Sequence, residues 1–120
     1  MKTCVAILIA GLLAGTASAV YAQTVSPGVS VKGDGRWEMF CRIIARSDSK
    51  QILLDRSHSA YSDPRLTLGE CKYRAAPESE LAISVIESED CPFSGASAEN
   101  CAMTVSAGKS GSFKFRAKRH

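Results

Sequence analysis

From Arg36 to Arg46 the odd positions Trp37, Met39, Cys41, Ile43 and Ala45 are all apolar. The even positions are less regular: Glu38, Arg42 and Arg46 are polar, while Phe40 and Ile44 are not. Glu70–Ala75 alternates cleanly, with Cys71, Tyr73 and Ala75 on one face and Glu70, Lys72 and Arg74 on the other. The same period of two recurs in Leu81, Ile83 and Val85, in Cys101, Met103 and Val105, and in Phe113 and Phe115 between Lys114, Arg116 and Lys118. Successive side chains of a strand point to opposite faces, so this pattern marks half-buried strands with one face on a core.

Turn-forming residues separate these runs: Gly33-Asp34-Gly35, Ser47-Asp48-Ser49, Asp63-Pro64, Pro77-Glu78-Ser79 and Gly108-Lys109-Ser110-Gly111. Gly33-Asp34-Gly35 and Gly108–Gly111 read as hairpin turns. About seven strands are predicted, near 29–32, 36–46, 51–58, 69–76, 81–88, 101–107 and 112–118. No helix is needed, and the best candidate is one turn within Phe93–Asn100. Short strands with frequent reversals indicate an all-β fold, a small antiparallel β-sandwich. The layout resembles the immunoglobulin-like sandwich at the level of architecture, which implies nothing about activity.

The first residues change the setting of that domain. Lys2 precedes the apolar run Val5–Leu13, and the small residues Ala17-Ser18-Ala19 and Val20-Tyr21-Ala22 follow. This order of basic, apolar and small-residue regions is that of a secretory signal peptide. Residues 1–22 are assigned to it, with cleavage after Ala22 or Ala19, and Cys4 leaves with the signal. The uncharged stretch Cys4–Ala22 has 19 residues, near the length of a membrane span, but its second half is small and weakly apolar. No stable membrane span is therefore expected once the signal is cleaved. Residues 23–120 form one domain of 98 residues, carrying 14 Lys and Arg against 12 Asp and Glu, a net charge of +2. That balance argues against a nucleic-acid partner.

Export would place Cys41, Cys71, Cys91 and Cys101 in an oxidising compartment, where an even number of cysteines forms disulfides. Three connectivities are formally open; Cys41–Cys71 with Cys91–Cys101 is favoured. Closing the two loops would stabilise the fold by about 3.5 and 2.5–3 kcal/mol on a chain-entropy basis. Cys41 and Cys71 fall on inward faces, and Cys91 and Cys101 would clamp the loop Pro92–Asn100 at its base. A zinc site is not expected, because no Cys-x-x-Cys pair occurs.

Candidate chemistry is sparse. His58 lies between Ser57 and Ser59 with Asp55 and Asp63 nearby, but adjacent strand residues point to opposite faces, so a solvated histidine outweighs a catalytic one. The acids Glu87, Glu89 and Asp90 match no calcium loop, and Gly-rich phosphate loops are lacking. No catalytic residue, metal or cofactor is assigned. Two features are candidates for binding. Lys114, Arg116 and Lys118 would share one strand face, spaced about 7 Å apart, as a stripe for anionic lipid or polyanionic glycan. The alternative is that these cations solubilise an edge strand. Phe93, in the clamped loop, would face a partner or dock an inhibitor, or else pack beneath the loop.

The expectation is a periplasmic or secreted, disulfide-stabilised β-sandwich that binds a protein or an anionic envelope or glycan partner without catalysing a reaction. A secreted hydrolase inhibitor using the Cys91–Cys101 loop is the alternative, and a small hydrolase centred on His58 is the third reading. Oligomeric state and ligand identity are not encoded in these patterns.

Overall fold

The computed structural model describes residues 25–119. The signal assignment to 1–22 and the terminal His120 lie outside the described residues. Eight strands make up the domain: β1 (Gly28–Gly33), β2 (Glu38–Ala45), β3 (Asp48–Leu54), β4 (Ala60–Ser62), β5 (Leu66–Arg74), β6 (Leu81–Ile86), β7 (Ala102–Val105) and β8 (Ser110–Arg116). They form two four-stranded sheets of order β4-β1-β6-β7 and β3-β2-β5-β8, and every pairing is antiparallel. The described residues contain no helix. This is the sandwich that the alternation implies, with one strand more than expected.

The period of two gives each sheet one apolar face, and the two faces meet. Val29, Val31, Leu81, Ile83 and Val85 enter from the first sheet, and Met39, Cys41, Ile43, Cys71, Phe113 and Phe115 from the second. Met39, Ile43, Leu81 and Ile83 are fully enclosed, and burial of each such side chain stabilises the fold by about 1.5–3 kcal/mol. Trp37 is buried beside them and donates its indole N–H to the Gly33 carbonyl at 3.1 Å, which fixes the passage from β1 to β2. Gly69 has a steric role: a Cβ there would run into the Phe115 ring, which lies across the β5 backbone.

Connectivity departs from local expectation at two turns. Gly33-Asp34-Gly35 and the stretch before β8 do not close hairpins; each carries the chain from the first sheet to the second. The β2–β3 hairpin instead turns on Arg46 and Ser47, with Ala45 opposite Asp48 and Arg46 at φ 59°. The strand order also differs from the immunoglobulin constant arrangement of ABED on CFG.

Both disulfides are Cys41–Cys71 and Cys91–Cys101. The first does not cross between the sheets. Cys41 and Cys71 are directly opposite on the neighbouring strands β2 and β5, with Cα atoms 4.1 Å apart, so the bridge reinforces one sheet from its inner face. The second closes the β6–β7 connection at its base. Two structural disulfides mark a protein of an oxidising, extracellular-type compartment. Among the described residues no helix is long and apolar enough to cross a membrane.

The edges of the sandwich are laced on one side. Beyond β8, Ala117 bridges Ser88, the Glu89 N–H donates to the Arg116 carbonyl at 2.8 Å, and the Lys118 N–H donates to the Glu87 carbonyl at 2.8 Å. The tail of the second sheet is thereby tied to the segment after β6 of the first.

Candidate binding face

The two sheets turn very different surfaces to solvent. Outward positions of the first sheet are small or hydroxylated, such as Ser30, Ala82, Ser84, Ala102 and Thr104, and Lys32 is the one charged side chain on its strands. Strand register on the second sheet sets Arg42, Lys72, Arg74, Lys114 and Arg116 outward against only Glu38 and Glu70. Five cations face two carboxylates on this surface.

Ion pairing is uneven across it. Arg42 donates through Nε and Nη2 to Glu70 Oε1 at 3.0 and 2.6 Å, and Lys114 approaches the other oxygen of Glu70 at 3.5 Å. These contacts, the Arg42 hydrogen bonds foremost, hold the Glu70 carboxyl below its ordinary pKa. Arg74 pairs with Glu38 at 2.6 Å, and Arg116 lies 3.6 Å from Glu89. Lys72, at the centre of the face, has no carboxylate partner among the described residues.

Next to Lys72 stands Phe40, and Leu53 is opposite Phe40 across the β2–β3 pair. Phe40 is 54 % exposed and Leu53 47 % exposed. They form an exposed apolar pair, and Phe40 lines an open groove of about 720 Å³ whose walls include Arg42, Glu70, Lys72 and Lys114. Phe40 is one of the two residues that break the alternation of β2, and that break is its trace in the sequence.

The other sequence candidates fall elsewhere. Lys114 and Arg116 do share the outer face of β8, but Lys118 lies past the strand end, so the expected three-residue stripe is a pair followed by a turn toward the first sheet. Phe93 is buried at 6 % exposure and meets Phe113 edge-on at 5.1 Å between ring centres. It anchors the disulfide loop to the core and is not presented outward. The loop itself is built from turns, with Ala96 N–H to the Phe93 carbonyl at 3.3 Å and Asn100 N–H to the Ser97 carbonyl at 3.1 Å, and not from a helical turn.

His58 projects into solvent with its side chain 82 % exposed. Asp55 is occupied in forming the local turn: its Oδ1 accepts the Ser57 and His58 backbone N–H groups at 2.9 and 3.1 Å. Asp63 is buried and engaged with others, accepting the Arg65 backbone N–H at 2.9 Å, the Arg65 guanidinium and the Tyr61 hydroxyl. The Arg65 backbone N–H, then its side chain, hold the Asp63 carboxyl below the ordinary aspartate value. No hydrogen bond joins the His58 ring to a serine hydroxyl among the described residues. Among the described residues no group of three His, Cys, Asp or Glu side chains is placed to hold a metal ion.

Comparison with protein-family models, with curated proteins and with solved structures finds no match to this chain.

Proposed function

We propose that this protein is a non-enzymatic binding module, exported to the periplasm or the medium, that recognises an anionic component of the cell envelope through the outer face of its second sheet. One observation carries the reading. The structure separates its charge, leaving one sheet face nearly uncharged and loading the other with cations that outnumber their carboxylates. A surface with an unbalanced field attracts and orients ligands of opposite charge, and the effect weakens as salt rises. Phe40 and Leu53 add apolar contact area beside Lys72, which has no carboxylate partner among the described residues. The inhibitor reading has lost its anchor, because Phe93 is inside the core.

Affinity capture from envelope extract tests this. The oxidised protein should retain an anionic component at low salt and release it as salt is raised. Replacing Lys72, Lys114 and Arg116 with glutamine should abolish most of that retention. Retention unchanged by the triple replacement, or unchanged by salt, would contradict the proposal.

A further inference from the structure

The chain gathers a further cluster of cations, which shares Arg116 with the sheet face, at one end of the sandwich. The β2–β3 hairpin brings Arg46, the turn before β5 brings Arg65, and the end of β8 and its tail bring Arg116, Lys118 and Arg119 around one open cleft of about 420 Å³. Among the described residues no Asp or Glu lines it. Three segments distant in sequence thus contribute five positive charges to a compact volume.

Two of the five are held by carboxylates outside the cleft. Asp63 takes Nε and Nη2 of Arg65, each at 3.3 Å, which fixes the guanidinium plane and leaves Nη1 free to donate. Arg116 is steadied by Glu89 at 3.6 Å. Arg46, Lys118 and Arg119 have no carboxylate partner among the described residues. Arg46 also sits at φ 59°, a conformation that glycine or asparagine adopts at lower cost, so nothing in the turn itself calls for arginine.

We infer that this cleft is a specific site for a compact, multiply charged oxyanion, a phosphate-bearing headgroup or phosphorylated sugar. Guanidinium groups match phosphate geometry through paired N–H donors, and several converging cations favour a polyanion over a single carboxylate. The inference deepens the anionic-ligand reading above and rests on it for biological meaning; the cleft shares Arg116 with the sheet face, while Arg46, Arg65, Lys118 and Arg119 are its own.

Titration calorimetry with inorganic tripolyphosphate on the oxidised protein tests it. Binding should be measurable and should weaken about tenfold or more in the variant Arg46→Asn/Lys118→Gln/Arg119→Gln, in which asparagine keeps the turn conformation. A charge-matched control at exposed cations outside both the sheet face and the cleft, Lys32→Gln/Arg56→Gln/Lys109→Gln, should stay within about twofold. Equal weakening in both variants, or heat no greater than that of sodium chloride at equal ionic strength, would overturn the site. So would equal binding of a glutamate oligomer of the same charge. Comparing a soluble short-chain phosphatidic acid with a sugar bisphosphate distinguishes the two sources, and a preference for either supports the site. Should envelope capture fail while tripolyphosphate still binds, only the functional proposal is lost; should capture persist without tripolyphosphate binding, only the cleft is lost.

Discussion

At Gly69 the absence of a side chain makes room for the Phe115 ring, and at Ser88 the presence of one leaves a buried hydroxyl without a hydrogen-bond partner among the described residues. Opposite outcomes follow. Gly69→Ala pushes a methyl group into an aromatic ring packed in the core and is expected to destabilise by about 1–3 kcal/mol. Ser88→Ala removes an unsatisfied polar group and is expected to be neutral, or stabilising by up to about 1 kcal/mol. Urea unfolding of the two variants beside the parent checks both signs. Asp63 governs a different variable. Its carboxyl is lowered in the folded state, so its contribution is complete above the ordinary aspartate value and is lost as pH falls through the lowered one. Stability should therefore decline below about pH 4, with Glu70 acting in the same direction. Asp63→Asn should flatten that acid limb, read from urea midpoints across acidic pH; an unaltered limb would show that Asp63 does not shape it.

Among the elements, the disulfide loop buries its phenylalanine whereas β2 exposes one. Phe93 sits in a loop with no periodicity to place it, yet it packs on Phe113 under the Cys91–Cys101 clamp. Phe40 occupies an even position of β2, between the core-facing Met39 and Cys41, and register turns it outward. Phe93→Ala should cost about 3–5 kcal/mol of stability, whereas Phe40→Ala should change it by no more than about 0.5 kcal/mol. Thermal or urea denaturation of the pair measures the contrast, and equal losses would reverse the assignment. The strands themselves were readable because an antiparallel sheet with one wet face writes its burial into every second residue. Which sheet a strand joins was not readable, since alternation marks inside and outside but not neighbours. Hence Gly33-Asp34-Gly35 suits a hairpin by composition but crosses between layers, and Cys41 and Cys71 point inward but bridge adjacent strands. The edge strand β4 escaped notice because its three residues, Ala60–Ser62, are too few to show a period.

Taken as a whole, the domain combines a modest core with two covalent ties and a lopsided charge distribution. About 95 described residues bury too little surface for a large margin of stability, and the disulfides supply a substantial part of it. The charge pattern is only partly legible in the sequence. The basic C-terminal run is plain in the sequence, but its meeting with Arg46 and Arg65 depends on the fold bringing the hairpin and the β4–β5 turn to the same end. Neither feature stabilises the sandwich in an evident way, which is why both are read as recognition. The most direct measurement is hydrogen–deuterium exchange of the oxidised protein mixed with an isolated cell-envelope preparation at low salt. Protection concentrated in residues 66–74 and 110–119, and lost at high salt, is the expected result. Protection confined to β1, β6 and β7 or to the loop 92–100, or none at all, would contradict it.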